Sequence, residues 1–236
     1  MRYVVPPSPV YALPVAGRAG ESFPVNRIFC VGRNYAAHAR EMGFDPDRDP
    51  PFFFMKPANA IVAAGEGPVA IGYPPKTEDF HHEIELVVAL ARGGRNIPVE
   101  QALDHVYGYA VGLDMTRRDL QLAARDKGRP WEFGKSFSQS APVGKLYRVE
   151  EAGHPQAAGI TLRVNGKLTQ SSDIAKLIWS VAESISYLSA FETLEAGDII
   201  MTGTPEGVGP VKAGDTMHGA IEGLGEIVVN VVASGG

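Results

Sequence analysis

The stretch His81-His82-Glu83-Ile84-Glu85-Leu86-Val87-Val88-Ala89-Leu90 constrains the fold more than any other part of the chain. Its second half is a β-branched, apolar run with the composition of a buried strand. Buried strands rarely carry acids, because an isolated carboxylate is costly to take out of water. Here there are two. A strand has a period of two, so Glu83 and Glu85 point to the same face. Either the pair faces water on an edge strand, or a cation lies between two like charges. The stretch taken alone leaves both readings open.

The chain has 236 residues, 44% hydrophobic and 21% charged, which is ordinary globular composition and enough for one large β-rich domain or two small ones. Its net charge of -5 argues against nucleic acid or an anionic membrane as the main partner. Cys30 is the only cysteine, so no internal disulfide is possible and a reducing, cytoplasmic setting is expected. The opening Met1-Arg2-Tyr3-Val4-Val5-Pro6-Pro7 has no apolar core of the signal-peptide kind, and no apolar run reaches bilayer-spanning length.

Residues 1–26, rich in Pro and Gly, are expected to form an extended arm or a small hairpin. A single domain is expected over residues 27–236. Arg27 to Gly32 reads as a strand, and Asn34 caps a short helix from Tyr35 to Met42 that Gly43 closes. His38 and Glu41 share one face of that helix. They read either as a solvated pair or as a base oriented by its carboxylate. The Pro-rich loop over residues 44–51 reads as a lid above them.

Tyr107 to Leu113 is a second strand, and it ends on Asp114. The spacing of Thr116 and Asp119 predicts a capping box and a helix from Arg117 to about Asp126. Phe133-Gly134-Lys135-Ser136-Phe137 places a lysine in apolar surroundings, and Lys56 follows an aromatic run without a clear role. Asn165-Gly166 predicts a type I′ hairpin, and Ser180 with Glu183 a second capping box for a helix to Phe191. Thr202-Gly203-Thr204-Pro205 looks at first like a phosphate loop. No Lys-Ser/Thr follows it, and Pro205 and Pro210 prevent a helix from opening there, so a tight turn facing a pocket is expected instead.

Glu83, Glu85 and Asp114 are therefore three carboxylates on apolar strands. An all-oxygen set selects a hard cation, Mg²⁺ or Mn²⁺. No Gly-x-Ser-x-Gly elbow is present, and Cys30 has no nucleophile context.

Five ordered motifs closely resemble the fumarylacetoacetate hydrolase family, in particular its small single-domain members. They are Val31 to His38, His82 to Leu86, Leu113 to Asp119, Gly134 to Phe137 and Thr202 to Pro205, and the resemblance spans about residues 27–232. It implies an α+β, β-rich fold, a mixed-sheet roll or sandwich with few short helices, usually as a homodimer. It also implies one divalent cation held by Glu83, Glu85 and Asp114, a water-activating dyad of His38 and Glu41, and Lys135 as the cation for a developing enolate. Arg118, Gln121 and Thr204 resemble the residues that position a small oxo-acid substrate.

The implied reaction is hydrolysis of a carbon–carbon bond in an acylpyruvate, fumarylpyruvate above all. A decarboxylase or isomerase acting on oxaloacetate or an oxo-dienedioate would use the same site. A metal-binding protein without turnover is the reading from a different class, and the intact set of His38, Glu41 and Lys135 argues against it.

Overall fold

The computed structural model describes residues 3–36 and 49–233. Most of the backbone bonding lies in two large sheets. The larger runs in the order β4 (Phe52–Lys56), β3 (Ile28–Gly32), β15 (Ile199–Met201), β8 (Ile84–Leu90), β9 (Val106–Leu113), β11 (Ala141–Val143), β5 (Ile61–Ala63), and β12 (Tyr147–Arg148) also pairs with β9. The second runs β14 (Lys167–Asp173), β13 (Gly159–Val164), β17 (Thr216–Ile221), β18 (Glu226–Val232), β6 (Val69–Gly72). Both are mixed: β3 with β15, β5 with β11 and β6 with β18 are parallel pairs among antiparallel ones. The expected β-rich mixed-sheet architecture with few helices is what the structure shows.

The strand β8 is central, and the alternation of its side chains builds two cores. Ile84, Leu86, Val88 and Leu90 face the second sheet, together with Ile160, Leu162, Met217, Ile227 and Val229. Val87 and Ala89 face the other way, toward Cys30, Ala110, Val143 and Met201. The apolar composition of β8 follows, since a strand covered on both faces has no solvent side on which to place polar residues. The edge-strand reading of Glu83 and Glu85 is excluded.

In the N-terminal segment β1 (Ala12–Pro14) pairs antiparallel with β2 (Ser22–Pro24). Leu13, Val15, Phe23 and Val25 pack into the same second core as β3 and β8. The hairpin of β13 and β14 turns at Asn165 and Gly166, both with positive φ (50° and 81°), as a type I′ turn requires. The helix Val181–Phe191 opens on a complete Ser180–Glu183 capping box and buries Ile185 and Leu188. Among the described residues no helix is long and apolar enough to cross a membrane.

One local expectation is corrected. The helix Arg118–Arg125 begins after Arg117 with no side-chain cap, so Thr116 and Asp119 form no capping box. Thr116 lies in β10 (Thr116–Arg117), and its hydroxyl donates to the Asp114 carbonyl and accepts from Lys135. The Asp119 carboxylate instead accepts from the Thr77 hydroxyl and from the amides of Glu78 and Leu120. Tertiary partners outcompete the local cap.

Candidate active site

Two strands leave the large sheet at the same level, and the acids sit at their corners. β7 (Phe80–His82) and β8 are separated only by Glu83, while β9 and β10 are separated by Asp114 and Met115. β8 pairs with β9 in the large sheet, and β7 pairs with β10 in a small three-stranded one that also holds β16 (Gly209–Pro210). At the crossing the Asp114 amide donates to the Glu83 carbonyl at 2.8 Å, which fixes the two corners against each other. Glu85, one pleat further along β8, shares their face. Carboxylate oxygens of Glu83, Glu85 and Asp114 all lie within 4.8 Å of one another, and the residues are only 5%, 2% and 1% exposed.

Three like charges buried this closely need compensation. Lys135 Nζ lies 2.8 Å from Glu83 Oε2, 2.7 Å from Asp114 Oδ2 and 2.7 Å from the Thr116 hydroxyl. Burial alone would lower the pKa of this ammonium, but Asp114 and Glu83 outweigh it and hold it above its ordinary value. The residue ends the short helix Glu132–Lys135, which packs tightly on its neighbour. A Cβ on Gly134 would come within 2.8 Å of Gln121 Cβ, so only glycine fits beside Lys135.

Arg118 donates to Glu83 Oε1 and to the Gln121 side-chain oxygen, leaving the Gln121 amide NH₂ for the cavity. Its Nε lies 3.5 Å from His81 Nδ1, and His81 is bonded through its other nitrogen to Asp79 at 2.8 Å. Glu85 accepts from the Gly203 amide at 2.8 Å. Burial, then Asp114 and Glu83, push its carboxyl well above the usual carboxylate range.

A divalent cation fits this set on two observations. The carboxylates are hard oxygen donors gathered at one point. In addition, Asp114 Oδ1 is buried and accepts no hydrogen bond, although Lys56 Nζ stands 2.8 Å away as an ion pair. An oxygen with an uncommitted lone pair in such a place is what a metal ligand requires.

Glu83, Glu85, Asp114, Arg118, Gln121, Lys135 and Thr204 all line one cavity of about 170 Å³. Thr204 Oγ1 donates to the Ile84 carbonyl at 2.7 Å and accepts from Gln170 Nε2 at 2.9 Å, so its hydroxyl hydrogen is directed into the fold. His38 and Glu41 lie outside the described residues, as do most of the predicted 35–42 helix and most of the 44–51 loop.

Two site residues had no clear assignment in the sequence. Lys56 is fully buried, and its ammonium donates to the carbonyls of Met115 (3.2 Å) and Lys135 while pairing with Asp114. Its signal was an ammonium at the end of an aromatic strand. Gln170, from β14 in the other sheet, bonds His82, the Ile84 amide, Thr204 and the Pro205 carbonyl. Nothing in its local sequence marks it, because its partners are supplied by distant segments. Cys30 is buried, and burial pushes its thiol pKa up, as befits a packing residue.

The chain is similar to known proteins over most of its length. A fumarylpyruvate hydrolase from Ralstonia sp. is 47% identical over 180 residues, 76% of this chain and 92% of that protein. The human mitochondrial oxaloacetate tautomerase FAHD1 is 44% identical over 197 residues, covering 84% of this chain and 87% of its own. The crystal structure of fumarylpyruvate hydrolase from Pseudomonas aeruginosa in complex with Mn²⁺ and pyruvate superposes with a TM-score of 0.97 at 56% identity, covering 99% of this chain and all of that one. The model of the fumarylacetoacetate (FAA) hydrolase C-terminal domain matches residues 27–232, and the chain belongs to the fumarylacetoacetate hydrolase family.

Proposed function

We propose that this protein is a divalent-metal-dependent hydrolase that cleaves the carbon–carbon bond of an acylpyruvate, with fumarylpyruvate giving fumarate and pyruvate as the preferred reaction. The observation that carries the reading is the buried Glu83–Glu85–Asp114 cluster with Lys135 against it, lining one cavity of about 170 Å³. Its likeness to the manganese- and pyruvate-bound P. aeruginosa enzyme supports the choice of substrate.

Glu83, Glu85 and Asp114 would hold Mg²⁺ or Mn²⁺, which supplies Lewis-acid polarisation of a 2-oxo acid's keto and carboxylate oxygens. His38, oriented by Glu41, takes a proton from water, and the hydroxide adds to the carbonyl carbon distal to the pyruvyl group. The bond from that carbon to the methylene then breaks. Its electron pair passes into the pyruvyl group as an enolate, which a proton returns to pyruvate. Lys135 is a fixed positive charge at the place where this negative charge develops. Arg118 and Gln121 hold the substrate's oxygens from the helix above, through guanidinium N–H groups not engaged by Glu83 and through the Gln121 amide. Thr204 closes the opposite wall.

A metal–enolate reaction on oxaloacetate is the second reading, and 44% identity to an oxaloacetate tautomerase keeps it in view. The two separate in a panel of fumarylpyruvate, acetylpyruvate, oxaloacetate and fumarylacetoacetate assayed with Mg²⁺ and with Mn²⁺. Hydrolysis of fumarylpyruvate ahead of turnover of oxaloacetate is the expected result; the reverse order sinks the assignment. A homodimer belongs to the same proposal, and analytical ultracentrifugation tests it.

A further inference from the structure

The second residue of β10 faces away from the carboxylate cluster. Successive residues of a strand point to opposite faces. Thr116 turns its hydroxyl to Lys135, so Arg117 is directed to the other side. There it lines a separate cavity of about 790 Å³, within the roughly 300–1,000 Å³ of small-molecule sites. Arg118, the next residue, lines the carboxylate cavity instead.

A half-buried arginine ordinarily meets an acid, and Arg117 meets none. Among the described residues its one hydrogen-bond acceptor is the Phe133 carbonyl, 3.3 Å from Nη1, and its buried Nε has no partner. Asp119 acts on it only through its charge, because both Asp119 oxygens are committed to Thr77, Glu78 and Leu120. Burial holds the guanidinium below its ordinary pKa, and Asp119 offsets this only in part. The side chain is fixed by Phe137, whose ring centre lies 4.3 Å from the guanidinium carbon. Phe137 is itself held edge-on by Phe80 at 6.2 Å. A fork of N–H donors is thus held in place while most of it is unused.

The surroundings of Arg117 select the sign and the body of a ligand. Among the described residues lining this cavity, Arg117 is the only charged side chain. Gln139, whose φ of 63° is one that residues with a side chain rarely adopt, accepts from the Gly72 amide through its side-chain oxygen at 2.8 Å. Its NH₂ group is left as a further donor. The rest of the wall is largely apolar, with Tyr73, Pro75, Phe137 and Val232 on it.

We infer that this cavity is a second binding site, for a small aromatic carboxylate. The carboxylate takes the unused N–H groups of Arg117 with the Gln139 amide beside it, and the ring lies on the wall of Tyr73, Pro75 and Val232. An inorganic oxyanion would satisfy the arginine but leave that wall in water, and a neutral ring would leave the guanidinium without an acid. None of the Glu83, Glu85 and Asp114 side chains lines this cavity, so the inference is independent of the reaction proposed above.

The test uses the full chain loaded with Mg²⁺ and titrated calorimetrically with three probes. They are benzoate, benzamide (the same ring without the charge) and inorganic phosphate (charge without the ring). Benzoate is expected to bind at least about tenfold more tightly than either, the size of a charge-assisted contact. Its place is read from the arginine Nε–H resonances of ¹⁵N-labelled protein. The signal lost in Arg117→Lys should move with benzoate, and the signal lost in Arg118→Lys should not. Arg117→Gln should weaken benzoate by about tenfold or more, whereas Arg129→Gln, an exposed arginine outside the cavity, should leave it unchanged. Should Arg117→Gln fail to fold, Val232→Asp sets an acid on an exposed part of the wall and should cause the same loss by repulsion.

Absence of saturable benzoate binding overturns the site. So does benzamide or phosphate binding as tightly as benzoate, or benzoate binding that survives both Arg117→Gln and Val232→Asp. A titration that moves the Arg118 signal and leaves the Arg117 signal in place puts benzoate in the carboxylate cavity, and it overturns the proposal as well.

Discussion

At the residue scale the site is a balance of buried charge, and each member has a distinct expected phenotype. Glu85→Ala or Asp114→Ala removes a hard oxygen donor, so Mn²⁺ binding followed by electron paramagnetic resonance should weaken by about 100-fold or more and activity should vanish with it. Full activity after chelator treatment in either variant would refute the metal assignment. Lys135→Met should behave differently. It takes away a cation that competes for Glu83 and Asp114, so Mn²⁺ should bind as tightly or more tightly while kcat falls by about 100- to 1,000-fold. Lys56→Met tests a structural claim. Its ammonium is the shared partner of Asp114 and two backbone carbonyls, and breaking a buried pair from one side costs about 3–5 kcal/mol. Chemical denaturation should show that loss, and added Mn²⁺ should recover part of it.

At the scale of elements, the junctions carry the function. The β7–β8 and β9–β10 strands change sheets together, and the helix Arg118–Arg125 starts at once after β10. Asp119 ties this helix to the 77–78 loop. Burial alone would raise its carboxyl, but hydrogen bonds from Thr77 and from the amides of Glu78 and Leu120 hold it below the ordinary aspartate value. A carboxyl with a depressed native pKa adds stability above its unfolded value of 3.8, and that stability is lost as pH falls through the native value. Asp119→Asn should therefore cost about 1–2 kcal/mol at pH 7 by denaturant titration. The gap to the native protein should close as pH falls through the lowered native value; a gap of equal size at neutral and strongly acid pH would mean that the ionised form is not what matters. Gly203 is a second junction, with φ at 98° and a would-be Cβ 2.7 Å from Asn34 Cβ. Gly203→Ala should cost about 1–3 kcal/mol in thermal unfolding, and the displaced amide that serves Glu85 should also weaken Mn²⁺ binding.

At the scale of the molecule, β8 carries a core on each face, with the second sheet on one side and Leu13 and Phe23 of the N-terminal hairpin on the other. A cation that binds the folded chain acts by mass action on the native state. Mn²⁺ at about 100 times its dissociation constant should stabilise the protein by about 2.7 kcal/mol, and a chelator should reverse the rise in melting temperature. An unchanged melting temperature over that titration would argue against a site formed in the folded chain.

How much of this was legible beforehand depends on the range of the interaction. The strand character of β8, the common face of Glu83 and Glu85, the Asn165-Gly166 turn and the Ser180 capping box follow from neighbours along the chain, and the sequence by itself determined them. The apolar run alone left open whether Glu83 and Glu85 face water or a cation, and burial on both faces of β8 decided it. The mistaken cap at Thr116 shows the limit, since a hydroxyl with a local option takes a distant lysine when folding brings one within 2.7 Å. That Lys56 would pair with Asp114 and that Gln170 would cross from the other sheet to hold the Thr204 loop were decided only by the tertiary structure. Residue types set which charges and hydrogen-bonding groups need partners; chain topology sets which partners arrive.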